Sequence, residues 1–202
     1  MQRFGSKTVG LLIFLFGVVL MLSFPSFAVA HDGIAQTHSG FAAGFLHPLT
    51  GFDHLLMLFA VGFWLRQNIS RNPTSLGLVF LCAIQVGAVL AVSGFVTTKV
   101  ETEIALSLAI AGALLAFAIQ LHRIVALALL AVFGIVHGAA HGLELPQDAS
   151  AYLYQIGLLG SSALILVFGL LLATTVKAHQ GVARTLAFIL TASACAMFGL
   201  GV

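Results

Sequence analysis

Apolar residues run along this chain in long blocks separated by short polar stretches, at about 44–65, 75–97, 103–121, 123–142, 151–176 and 182–201. At about 1.5 Å rise per residue, a helix of roughly 20 residues covers the ~30 Å hydrocarbon core of a bilayer. The pattern therefore predicts an all-α, polytopic membrane helix bundle of six transmembrane helices. Pro48, Pro73 and Pro146 fall where blocks begin or loops run, which suits a residue that would break a helix in mid-span. The connections are short, so chain neighbours are expected to pack antiparallel.

Residues 1–30 have a different layout. Arg3 and Lys7 precede an apolar run from Val9 to Phe24, Pro25 and Ser26 break it, and Ala28-Val29-Ala30 offers small residues for cleavage. That is the arrangement of a secretory signal peptide; an uncleaved first membrane helix is the alternative. Residues 1–30 are thus read as a signal peptide and 31–202 as a six-helix transmembrane domain. Composition agrees. Of 202 residues, 60% are apolar and 7% charged, against about 25% charged in a soluble domain. That excludes a water-soluble globule and a disordered chain. Lys+Arg at 8 against Asp+Glu at 6 makes no basic patch, so no nucleic-acid partner is expected. Cys82 and Cys195 both lie in apolar blocks and read as buried small hydrophobes rather than a disulfide pair.

With His31 starting outside, the inner loops hold Arg66, Arg71, Arg123, Lys177 and Arg184, and the outer ones hold only Lys99 among basic residues. This obeys the positive-inside rule. It implies a bacterial inner (plasma) membrane protein, multi-pass, with the mature N-terminus and the C-terminus on the periplasmic side. The two halves, about 44–121 and 123–201, each open with a His-bearing helix and would be inverted with respect to one another.

An ionisable residue inside a membrane segment is costly and therefore points to function. Two such groups stand out. The first is His47-Pro48-Leu49-Thr50-Gly51-Phe52-Asp53-His54, in the first block after the signal peptide. The second is His137-Gly138-Ala139-Ala140-His141-Gly142-Leu143-Glu144, at the end of the fourth. On a helix, His137, His141 and Glu144 occupy positions i, i+4 and i+7 and share one face. Two imidazoles one turn apart clip a divalent transition metal, and a carboxylate one turn on adds to the shell. A hydrogen-bonded polar seam between helices is the structural alternative. In the first group, Pro48 suits a first helical turn and places His47 at or just before the helix start, while Gly51 allows a local break. Asp53 needs a cation or a donor beside it; a salt bridge or a cap would also serve. Asp53 and Glu144 would together balance one divalent ion if the imidazoles bind as neutral ligands. Such nitrogen and oxygen donors suit nickel, cobalt or zinc and argue against copper(I). His31, with a free amine after cleavage, is a further chelate candidate, although a frayed terminus is the plainer reading. Gln85, Gln120 and Gln155 read as interhelical hydrogen-bond partners.

The stretch from His47 to Met57, followed by Ala60-Val61-Gly62, resembles the signature of the HupE/UreJ family, and the stretch from His137 to Glu144 with Pro146 behind it resembles that family's second motif. The resemblance covers essentially the whole chain; where the family often has Ala before the Met of the first motif, this chain has Leu56. It implies a permease for nickel or cobalt, not an enzyme, feeding metalloenzyme maturation or cobalamin synthesis downstream. It also implies metal-site roles for His47, Asp53, His54, His137, His141 and Glu144. The expected partners are then a divalent metal ion and the lipid bilayer. No permanently bound cofactor is expected; the cargo would be Ni2+ or Co2+, with Zn2+ acceptable in vitro. The chain has no phosphate-binding loop with which to use ATP. Two rival classes share the same residues: an intramembrane metal-dependent hydrolase using His-x-x-x-His and the Asp-His pair, and a metal sensor or assembly partner that binds without flux.

Overall fold

The computed structural model describes residues 40–68, 72–96, 100–146, 150–175 and 180–199. The expected signal peptide, His31 and the loop residues Arg71, Lys99, Asp148, Lys177 and His179 lie outside them. Among the described residues every regular element is a helix: α1 Gly40–Thr50, α2 Phe52–Asn68, α3 Pro73–Val92, α4 Glu101–Ala116, α5 Arg123–Leu143, α6 Ala151–Thr175 and α7 Gln180–Gly199. The last five match the last five apolar blocks. The helices α3, α5 and α6 are long and apolar enough to cross a membrane, and α1 with α2 would make a fourth crossing if the pair is one span. The molecule is an all-α membrane helix bundle.

The first block is not one continuous helix. It bends by 76° between α1 and α2, with Gly51 at the break. Pro48 sits inside α1, so His47 lies in that helix's last turn and not at its start. Pro48 has no N–H to donate to the Gly44 carbonyl, and the helix ends two residues later. The exposed carbonyls are then taken up locally. Gly51 N–H donates to the His47 carbonyl at 3.0 Å. The Thr50 hydroxyl reaches the Leu46 and His47 carbonyls at 3.2 and 3.1 Å. Leu55 N–H to the Gly51 carbonyl, at 2.9 Å, starts α2.

Chain neighbours are not the main packing partners. The principal contacts join α3 to α5, α4 to α7, and both α1 and α2 to α6. The α3–α5 register advances in the same direction on both helices: Gly134 meets Phe80, Gly138 meets Ile84 and Gly142 meets Ala88. That pair is parallel, as two helices separated by one intervening helix, and so by two reversals, should be. The bent α1–α2 pair likewise runs along α6 in one direction, from Gly40 beside Ser150 to Gly62 beside Leu166. Glycines set these contacts because, within lipid, close backbone packing replaces the hydrophobic drive. Exchanging the halves α1–α4 and α5–α7 turns the α2–α6 pair into α5–α3 and leaves α4–α7 paired, so the contact pattern has the symmetry that two related halves would produce.

A Cβ on Gly138 would collide with the Ile84 backbone, whereas one on Gly181 meets nothing within 4 Å. Gly138→Val is therefore expected to destabilise the detergent-solubilised protein by at least the ~1–3 kcal/mol typical of overpacking. Gly181→Ala should leave its melting temperature unchanged or slightly raised; equal melting of both variants would contradict this packing.

Every residue from His54 to Leu65 is buried, so α2 is enclosed on all sides and forms the axis of the core. At its far end Trp64 Nε1 donates to the Ile119 carbonyl at 3.3 Å. Two expectations fail at the periphery. Cys82 and Cys195 are exposed on the outer helix faces, where a thiol tolerates a lipid-like surroundings as readily as a core. Gln85 Nε2 and Gln155 Oε1 are buried without a hydrogen-bond partner, so those atoms do not bond helices together.

Candidate metal centre

The bend at Gly51 and the straight α5 deliver their polar side chains to one place. From α1 comes His47, from the first turn of α2 come Asp53 and His54, and from the last turns of α5 come His137 and His141, with Glu144 as its C-cap. The four imidazoles make a ladder. His47 and His141 have ring centres 4.9 Å apart, His141 and His54 4.2 Å, and His54 and His137 5.4 Å. His54 and His47 are also neighbours, at 5.9 Å. Exposure falls along the ladder: Glu144 is exposed and His47 half-buried, whereas His141, His54 and His137 are 1%, 5% and 2% exposed.

At the open end, His47 Nε2 lies 2.9 Å from Glu144 Oε2. His47, His141 and Glu144 each offer a ligand atom, and the three atoms lie within 4.8 Å of one another. That separation suits three ligands about 2.0–2.2 Å from one ion. Glu144 lies just past the end of α5. Partial burial pushes its carboxyl up, but the His47 hydrogen bond and the charges of His54 and His47 outweigh this and hold it below the ordinary value. It is therefore a carboxylate at neutral pH, as a ligand must be.

Deeper in, the rings are held from behind. Asp53 Oδ1 lies 2.9 Å from His54 Nδ1, and the Phe133 carbonyl 3.0 Å from His137 Nδ1. A carboxylate and a carbonyl can only accept, so both Nδ1 atoms carry the proton and, in the neutral rings, both Nε2 atoms present a lone pair. Those Nε2 atoms are buried and without a partner, as is His141 Nδ1. Asp53 serves as the donor-orienting carboxylate of His54 and stands outside the three-ligand group. Carboxylate- and carbonyl-anchored imidazoles are the usual outer support of metal-ligating histidines.

One side chain beside the histidines escaped sequence reasoning. Tyr154 of α6 is 1% exposed, its ring centre lies 5.9 Å from that of His47, and its hydroxyl has no partner. A tyrosine near the end of an apolar block reads as an interfacial anchor, and nothing local marks it as facing the histidines. Gly51 has a positional role as well. A Cβ there would come within 3.2 Å of His54 Nδ1 and 3.5 Å of Asp53 Oδ1. Gly51→Ala is thus expected to disturb the Asp53–His54 pair and weaken metal binding about tenfold, the lower end for outer-shell damage; unchanged affinity by titration would contradict it.

Fold and site together define a membrane helix bundle that, among the described residues, carries a dense polar cluster of side chains able to ligate a late transition metal. The comparisons give the family. The profile of the HupE / UreJ protein family matches residues 19–198. Protein HupE of Rhizobium leguminosarum bv. viciae is 36% identical over 165 residues, covering 81% of this chain and 85% of that one. No solved structure matches. This chain belongs to the HupE/UreJ family, a family of membrane transport proteins rather than enzymes.

Proposed function

We propose that the protein is an inner-membrane permease that captures Ni2+ or Co2+ from the periplasm, with His47, Asp53, His54, His137, His141 and Glu144 as its metal-handling residues. The observation that supports this best is the convergence of four imidazoles and two carboxylates from α1, α2 and α5. In this reading residues 1–30 are a cleaved signal peptide, and α1–α2, α3, α4, α5, α6 and α7 make six crossings. Both ends of the mature chain are then periplasmic, and His31 stands near the mouth as an accessory chelator. The ion loads at His47, His141 and Glu144, where the cluster is exposed. Beneath His54, the buried apolar run of α2 separates the cluster from the cytoplasmic side, so onward release requires the helices around α2 to shift.

Uptake of radioactive nickel and cobalt by cells with and without the protein tests the reading. Uptake of either metal should rise severalfold with the protein and vanish in the Glu144→Gln variant. Metal binding without flux in proteoliposomes, or hydrolysis of a lipid amide or peptide by the purified protein, would overturn it. N-terminal sequencing of the membrane-inserted protein should begin at His31.

A further inference from the structure

We propose that His54 and His137 form a second metal station, deeper than and separate from the one at His47, His141 and Glu144. The inference rests on the permease reading and divides its site in two. The open trio is complete by itself, with its three ligand atoms within 4.8 Å, and neither His54 nor His137 belongs to it. One turn further along α5, two imidazole nitrogens remain without any partner: His54 Nε2 and His137 Nε2. Their residues are 5% and 2% exposed, and an unpartnered buried lone pair is costly unless something fills the space between.

Each ring is fixed for that purpose. Asp53 and the Phe133 carbonyl occupy the two Nδ1 positions, which leaves the lone pairs on Nε2 and prevents the rings from turning over without breaking those bonds. The rings stand edge to face with centres 5.4 Å apart, within reach of one ion bonded at about 2.0–2.1 Å to a nitrogen of each. Two neutral nitrogen donors favour late first-row divalent ions over magnesium or calcium, whose preferred ligands are oxygens. The deeper station would thus reject hard cations that the carboxylate of Glu144 could admit. With only two protein ligands it leaves the remaining positions to water, so the ion stays exchangeable, as onward passage demands. His141 belongs to the outer trio, yet its ring lies next to both His47 and His54 and its Nδ1 is unpartnered, so it links the two stations.

The test is equilibrium dialysis of the full chain in detergent micelles against Co2+, with bound metal counted and the visible spectrum recorded. Wild type should bind two ions per chain. Glu144→Gln should lose the outer one and His137→Ala the deeper one, each with its own spectral component. Asp53→Asn, which spares the trio, should weaken only the deeper ion, by about 10–100-fold. Should His137→Ala fail to remain monodisperse, His137→Asn takes its place. One ion in wild type, lost alike from Glu144→Gln and His137→Asn, would overturn the second station while leaving the permease reading intact. No bound ion in the folded wild type would overturn both.

Discussion

His54→Ala is expected to reduce metal uptake to background, a fall of at least about 100-fold, the upper end of the loss seen when a ligand merely loses its outer-shell support. His54 is the rung that touches His47, His137 and His141, so its loss breaks the ladder in the middle and leaves the ion no bridge to the buried end. Asp53 would be left half-exposed and without its donor as well. His122→Ala is the matched comparison. That residue is exposed at the start of α5, where its ring accepts from Ile124 N–H at 3.4 Å, and its removal should cost less than twofold. Uptake counted per inserted molecule decides the matter. Equal loss in both variants would point to a folding defect, and retained uptake in His54→Ala would remove the ladder from the transport path.

The second large effect is acid inhibition. An imidazole binds metal only when neutral, so protons compete with the ion and affinity falls as pH drops through the imidazole range. His47 and His141 both serve the loading trio. Initial uptake at metal concentrations far below saturation should therefore fall by roughly tenfold or more between pH 7 and pH 5. The Glu144 carboxyl is held below its ordinary value and stays ionised over that interval, so it adds no slope of its own. Uptake that rises on acidification would instead indicate that protons drive the ion inward.

Much of this site could be read in the sequence because one part of it is local. His137 and His141 lie one turn apart on a regular helix and Glu144 caps its end, so spacing alone predicted their neighbourhood, and α5 supplies it. The first motif was harder. Its side chains lie on both sides of a 76° bend, and no periodicity describes two helices at once; Pro48 then suggested a helix start where α1 in fact ends. The apolar blocks placed the helices to within about five residues at each end, because a span's length is bounded by the hydrocarbon thickness. They carried nothing about partners. Outside the two His-bearing motifs the blocks are apolar nearly all round, and the choice of α5 by α3, or α6 by α1 and α2, depends on where glycines align across distant parts of the chain. Tyr154 was missed for the same reason: its meaning comes from facing His47, more than a hundred residues away in the chain.

Because each dominant helix pairing skips a neighbour, the bundle has a delayed assembly schedule. When the ribosome has made α1 and α2, the helix that supports them both, α6, is still more than a hundred residues from completion. Contacts so remote in sequence form slowly, and membrane helices insert before they pack. The histidines of the first motif thus wait in a nascent chain that has inserted but not closed. The ones on α5 arrive before the scaffold that aligns the two sets. A chain stopped just past α5 would contain both motifs and still lack α6, against which α1 and α2 are held, so on the permease reading the competence to hold an ion comes with the last third of synthesis rather than with the motifs themselves.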